Sequence, residues 1–378
     1  MKIATAALLL LVATAASADD ERPFVPGGIY DKPFILQVGE GAKFGGYADA
    51  QYRYERADGF VSEQSFILER INLFAFAALS ERVRLAAELE FEDGGEEVKI
   101  ELAIVDFEIH QRLTFRAGIL LSPLGRFNLT HDSPAQYLVD RPLVSTRLIP
   151  TTFSEPGMGF LGAFYPTTNS RVTYEAYLVN GLDDGILSDR TFIPGGKSNF
   201  EDNNNHPSFV GRLEVSPFPS GEIAVSAHTG PYNEWEEEGV KIDERRDVTI
   251  VTIDGEYRFR SLAFLGEYAR DFVDIPEGFV GLFAEKQQGI YLEGRVDFLR
   301  GLFKEMPNSF FAGAVRYDYV DFDTDREGDD HTRLTLGLGF RPVPATVFKL
   351  DYHYNWLNDR FNIAGREAGV VFGVATYF

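Results

Sequence analysis

The chain has 378 residues, with 58 acidic against 36 basic side chains and a formal net charge of −22. That balance argues against nucleic-acid binding, which leaves a basic footprint. Cysteine is absent, so an oxidising compartment is permitted but no disulfide framework holds the fold.

The first stretch, "MKIATAALLLLVATAASADD", sets Lys2 before an apolar run and ends on Ala16-Ser17-Ala18. It reads as a secretory signal peptide over 1–18, cut after Ala18. A short periplasmic segment is expected over 19–42, and one domain over 43–378. No linker or low-complexity tract divides that domain. No later stretch reaches the ~18 apolar residues of a membrane-spanning helix.

From residue 43 a unit recurs: about ten residues alternating apolar and polar, then a turn. Strands are predicted at Lys43–Glu55, Phe66–Leu79, Arg82–Asp93, Val98–His110, Leu113–Leu121, Gly157–Tyr165, Arg171–Asn180 and Ser208–Ser216. They continue at Glu222–Gly230, Arg246–Tyr257, Arg260–Asp271, Lys286–Asp297, Phe310–Val320, His331–Arg341, Ala345–Trp356 and Arg366–Phe378. In "TVFKLDYHYNW", Phe348, Leu350, Tyr352, Tyr354 and Trp356 share one face, and Lys349, Asp351, His353 and Asn355 the other. Near Ile104–Val105 the apolar phase slips by one, which predicts a β-bulge.

Short turns ("SER", "QR", "PTTNS", "PFPSG", "RFRS", "PVPA") alternate with long acidic connections ("RADGFVSEQS", "PYNEWEEEGVKIDER", "DFVDIPEGFVG", "DFDTDREGDD"). Aromatics cluster near strand ends, as at Tyr52 and Tyr54, Tyr257 and Phe259, or Tyr317 and Tyr319. Greasy outer faces, aromatic girdles and alternating loop lengths predict an all-β, transmembrane antiparallel barrel of about sixteen strands. In lipid every backbone polar group needs a partner within the protein, which a closed barrel supplies. The apolar ending "AGVVFGVATYF" is then the strand that closes on the first.

The alternation sets Arg53, Arg84, Arg116, Arg212, Arg295, Arg316, Arg333 and Lys349 on lumen faces. It sets Asp49, Glu88, Glu90, Glu175, Glu214, Glu293, Asp318 and Asp351 there too. That is a wall of mixed charge.

Several stretches resemble the phosphate-selective porin O/P family of Gram-negative outer-membrane porins. They include "FILERINLFAFAALSERVRLAAELEFED", "VDFEIHQRLTFRAGILLSPLGRFNLTHDSP", "DRPLVSTRLIPTTFSEPGMGFLGAF", "YEAYLVNGLDDG" and "LGLGFRPVPATVFKLDYHYNW". The resemblance implies a trimeric, passive diffusion channel with its third loop folded into the lumen as a constriction. It implies an outer-membrane location among lipid and lipopolysaccharide, and insertion by barrel-assembly machinery that reads Phe378. Position 376 is Thr where an aromatic is common.

The third loop, Ser122 to Pro156, carries Arg126, His131, Arg141 and Arg147 beside Asp132, Asp140 and Glu155. Its arginines could contact anionic solutes directly, since guanidinium forks match phosphate or carboxylate. Alternatively they pair with Asp132, Asp140 and Glu155 and pin the loop. Phosphate selectivity, a cation-preferring or non-selective pore, and a plugged structural barrel all remain open at this stage. No catalytic residue, cofactor or metal is expected. "THDSP" sets His131, Asp132 and Ser133 too close in sequence for a triad, and there is no Gly-x-Ser-x-Gly elbow. His228, His331 and His353 form no consistent set for a rim protease. "DFDTDREGDD" lacks the glycine and glutamate spacing of an EF-hand, and "NLT" at Asn128 is a sequon only in spelling.

Overall fold

A computed structural model describes residues 42–188, 193–197 and 201–378. The expected signal peptide lies outside the described residues, as does all but the last residue of the expected periplasmic segment. Among the described residues, sixteen antiparallel strands close into a barrel, each hydrogen-bonded to its sequence neighbours and the last to the first. They are β1 (Ala42–Ala57), β2 (Phe60–Ala78), β3 (Val83–Glu92), β4 (Glu97–His110), β5 (Leu113–Leu121), β6 (Ser154–Thr167), β7 (Ser170–Val179) and β8 (Ser208–Phe218). The circuit continues through β9 (Gly221–Pro231), β10 (Asp247–Phe259), β11 (Leu262–Val273), β12 (Lys286–Phe298), β13 (Phe310–Asp321), β14 (Asp330–Val343), β15 (Thr346–Asn358) and β16 (Ala364–Tyr377).

Closure runs from Tyr47↔Tyr377 to Ala57↔Glu367. The last residue extends it: Phe378 and Gly46 exchange both backbone hydrogen bonds at 3.0 Å. A Cβ on Gly46 would meet the Phe378 ring at 2.9 Å and Asn72 O at 2.0 Å, so only glycine admits this contact.

The alternation decides which way each strand faces. Leu350, Tyr352 and Trp356 are exposed on the outside, while Lys349, Asp351, His353 and Asn355 are buried inside. Exposed Phe44 and Phe66, at 76% and 86%, lie on the outer surface, as an apolar solvent requires. Near the 299–309 turn, Phe298, Phe303, Phe311 and Phe340 form a linked aromatic band, with ring centroids 4.9–6.4 Å apart. At the opposite rim Tyr354 and Trp356 pack at 4.6 Å.

Two expectations shift. The bulge sits at Glu101–Leu102, not Ile104–Val105: Glu88 pairs with Leu102 but Leu89 with Ile100. Both extra-phase side chains turn inward and are buried. The connection read as the long "RADGFVSEQS" loop is strand almost throughout. β1 and β2 run on to a two-residue turn, where Asp58 and Gly59 take positive φ of 48° and 91°.

Some of the acids in the acidic connections have basic partners. In 322–329, Arg326 holds Asp323 at 3.0 Å and Lys286 reaches Asp325 at 3.2 Å. A short hairpin, Glu236–Glu237 with Val240–Lys241, stands in the 232–246 connection.

Candidate functional site

β5 has nine residues and stops at Leu121, opposite the first residue of β6, Ser154. The chain between them leaves the wall and packs inside the barrel. Ser122 N–H donates to Phe153 O at 2.9 Å, drawing the two arms together. Asn128 clasps this neck. Its Nδ2 donates to Ser122 O and Phe153 O at 2.7 and 2.9 Å, and its Oδ1 accepts from Phe153 N–H at 2.8 Å. The sequon spelling had hidden this role.

Two short helices, α1 (Arg126–Leu129) and α2 (Leu143–Arg147), shape the loop. Wall acids hold its backbone. Glu267 accepts from Phe127 N–H at 3.0 Å, Asp318 from Leu143 N–H at 3.0 Å, and Asp351 from Val139 N–H at 2.5 Å. Lys349 donates to Ser133 O and Leu138 O at 2.9 and 3.0 Å. Gly125, at φ +73°, lies against Glu267: a Cβ would sit 2.7 Å from its carboxylate. Beneath α2, Leu143, Val144, Leu148, Ile149 and Phe153 join a buried cluster with Val248, Ile250, Ala269 and Tyr291 of the wall.

The charged loop residues turn out to be anchored singly, and not to one another as the pinning alternative had it. Arg126 reaches Glu222 and Glu256, close to the turns at 219–220 and 260–261. His131 Nε2 lies 2.6 Å from Glu101, and its Nδ1 2.8 Å from Asn128 O. Asp132 accepts from Tyr377 Oη at 2.7 Å. Asp140 binds Arg53 and lies 3.0 Å from His353 Nδ1 and 3.7 Å from Arg333. Glu155 lies 3.0 Å from His228 Nε2, both fully buried. Two loop-to-wall contacts are thus histidine–carboxylate pairs, on β4 and β15; Glu155, expected in the loop, lies in β6 and makes a third such pair with β9 inside the wall. Burial alone would raise the Asp140 carboxyl, but the His353 hydrogen bond and the Arg53 and Arg333 charges hold it well below the usual carboxylate range.

Arg141 and Arg147 differ: neither makes an ion pair with a carboxylate among the described residues. Arg147 is exposed within the barrel. Arg141 donates only to Thr151 O, at 3.4 Å. Burial, and next Arg70, lower its guanidinium from the ordinary value.

The wall residues assigned to lumen faces do point inward. Arg53 also holds Glu55, at 2.7 Å. Arg84 pairs with Glu108 at 2.7 Å, and Glu88 accepts from Asn72 at 2.6 Å. Arg116 holds Asp106 with Nε and Nη2 at 2.7 and 2.8 Å, and Arg212 holds Asp254 at 2.6 and 2.8 Å. Arg295 holds Glu293 at 2.5 Å and stacks over Tyr137 at 4.7 Å. Arg316 binds Asp318 at 2.9 Å and donates to Arg141 O at 3.2 Å, and Arg333 donates to Asn355 Oδ1 at 2.8 Å. His331 meets Asn355 at 2.9 Å, so the histidines of the imagined rim protease each serve a different partner. Asp318 and Asp351, expected to colour the pore wall, are instead taken up by the loop backbone.

Between the loop and β1, β2 and β14 lies a cavity of about 210 Å³, lined by Asp49, Arg53, Arg70, Asp140, Arg141 and Arg333 among others. A larger concavity, about 720 Å³, is on the outer wall between apolar side chains of β11 to β16 and belongs to the outward-facing surface.

No family model matches the chain. An uncharacterized protein of Aquifex aeolicus (strain VF5) is 26% identical over 346 residues, which cover 84% of this chain and 76% of that protein. Among solved structures, the anion-selective porin from Comamonas acidovorans superposes with a TM-score of 0.59 at 11% identity, covering 89% of this chain and 99% of that one. The outer membrane channel DcaP of Acinetobacter baumannii gives 0.58 at 10% identity, with 89% and 98% covered. OmpT of Vibrio cholerae, an outer membrane protein, gives 0.53 at 13% identity, with 90% and 99% covered. The chain's closed sixteen-stranded barrel thus has the fold of these outer-membrane proteins.

Proposed function

We propose that the chain is an outer-membrane porin through which small hydrophilic solutes diffuse passively, with a preference for anions set at the third loop. The barrel gives a lipid-facing exterior and a charged interior, and the loop narrows that interior. One observation carries the sign. The loop's acids Asp132 and Asp140 each have a wall partner, whereas Arg141 and Arg147 make no ion pair with a carboxylate among the described residues. The uncompensated charge of the loop is therefore positive, and ions passing within a few ångströms feel it unscreened.

In this reading the protein is exported by its signal peptide and inserted by assembly machinery that recognises Phe378. It works as a homotrimer among outer-membrane lipid and lipopolysaccharide. Phosphate is one candidate anion. A second reading, a barrel plugged by its own loop, draws support from the density of loop anchors and the modest 210 Å³ cavity.

Planar-bilayer recording of the refolded protein separates these. Ohmic steps whose reversal potential in a KCl gradient has the anion sign are expected, and block by added phosphate would extend the reading to phosphate. Cation-selective steps would overturn the preference. Silence from a verified folded protein would leave the plugged barrel.

A further inference from the structure

The Arg141 nitrogens Nε and Nη2 are buried and have no hydrogen-bond partner among the described residues. These two atoms form one edge of the guanidinium. With that same edge Arg116 grips both oxygens of Asp106, at 2.7 and 2.8 Å. Arg141 presents the fork with no carboxylate in it.

Beside Arg141 is a chamber of about 70 Å³, bordered by Thr151, Thr152 and Lys197 and by the acids Glu90, Glu92 and Glu101, among others. The hydroxyls Thr151 Oγ1 and Thr152 Oγ1 are also buried without partners. Lys197 Nζ donates to Thr152 O at 2.8 Å, which uses one of its three protons. The three bordering acids are engaged elsewhere: Glu92 by Lys99 at 3.1 Å, Glu90 with Arg70 at 3.7 Å, and Glu101 with His131 at 2.6 Å and Asn72 at 2.9 Å. Arg141 also lines the 210 Å³ cavity, so it faces both spaces.

We propose that this chamber takes the carboxylate of a small organic monoanion, held edge-on by Arg141 and completed by Thr151, Thr152 and Lys197. Buried donors left unpaired are unfavourable, and an edge-on carboxylate satisfies two at once. Its two coplanar oxygens match the fork. Glu90, Glu92 and Glu101 on the chamber's border oppose a doubly charged oxyanion, so a monoanion suits the chamber better than phosphate or sulfate. That the solute arrives through the lumen rests on the porin reading; the binding itself does not.

The test is calorimetric titration of the refolded full-length protein with sodium acetate against sodium chloride at constant ionic strength. Saturable acetate binding is expected. Arg141→Gln should weaken it by about tenfold or more, Thr152→Val by less, and Arg147→Gln hardly at all. Heat-dependent gel migration checks that each variant is a folded barrel. Absence of saturable binding, equal binding by Arg141→Gln, or tighter binding of sulfate than acetate would each overturn the proposal. Conductance, recorded in parallel, keeps the two readings apart. Acetate binding by a silent barrel would sink the porin and leave this site standing; conductance without acetate binding would do the reverse.

Discussion

Asp140 of the loop and His353 of β15 lie 3.0 Å apart, and Arg53 and Arg333 close on the same carboxylate from β1 and β14. One loop side chain thus draws together three strands that meet around the closure of the barrel.

Asp140→Asn should loosen this junction and take the nearby carboxylate from Arg333, while Arg53 keeps Glu55. Removing one partner of a buried ionic cluster costs about 3–5 kcal/mol, enough to free the local loop while the barrel stays closed. Hydrogen exchange of the backbone around Val139–Arg141 should accelerate, and the reversal potential should move further toward the anion side. An unchanged exchange rate would show that the junction is not holding the loop.

The same carboxyl fixes a pH window. Its value in the folded protein is depressed below the ordinary 3.8, so the stabilisation is complete above that ordinary value and is lost as pH falls through the folded one. Exchange protection of this part of the loop should therefore persist from neutral pH to about 4 and vanish only in stronger acid. Loss of protection between pH 7 and 5 would contradict the assignment.

Asn128→Ala removes three hydrogen bonds to the neck of the loop and leaves the Phe153 N–H unpaired, at about 1–3 kcal/mol for that group, while Ser122 O and Phe153 O keep their backbone donors. We expect faster cleavage within 122–153 by an added protease, while the barrel keeps its heat-resistant gel migration. Asn128→Asp should not rescue the clasp, because a carboxylate cannot donate to Ser122 O and Phe153 O.

Arg126 and Arg147 should separate in function. Arg126→Gln breaks the contacts to Glu222 and Glu256 and should lower the midpoint of thermal unfolding with little change in ion preference. Arg147→Gln should leave the stability within about 0.5 kcal/mol of wild type, as surface changes do, and reduce anion preference in reversal-potential measurements. The opposite pattern would move the selectivity determinant to the 219–220 end of the barrel.

Gly125→Ala meets both a left-handed backbone and the Glu267 carboxylate at 2.7 Å. Gly59→Ala shares the positive φ but has nothing within 4 Å. Gly125→Ala should be the more destabilising in denaturant melts, because Gly59→Ala carries only the backbone penalty of about 1–3 kcal/mol.

The strands were legible because lipid outside and charge inside write a period of two into nearly every segment. β15 and β16 could be placed within two residues of their ends. The β1–β2 turn was misjudged because acidic residues at strand tips look like loop when the backbone hydrogen bonds are invisible. The loop's partners were not legible at all. Val139 meets Asp351 across 212 positions and Arg126 meets Glu256 across 130, and no local pattern encodes such distances. Sequence alone showed that His131, Asp140 and Glu155 were charged or titratable, but not that each faced its own wall partner.

The tethering of the loop also bears on mechanics. A barrel of single-layer sheet is a thin shell, soft toward being squeezed into an ellipse. Here the inner segment is fastened to β1, β4, β9, β11, β13, β15 and β16, the β9 tether being Gly125 N–H to Ser226 Oγ, and these are spread around the circumference. It acts as a set of spokes. Lateral pressure from a crowded bilayer is then carried across the diameter instead of around the rim, and the aperture keeps its cross-section when the membrane does not keep its tension.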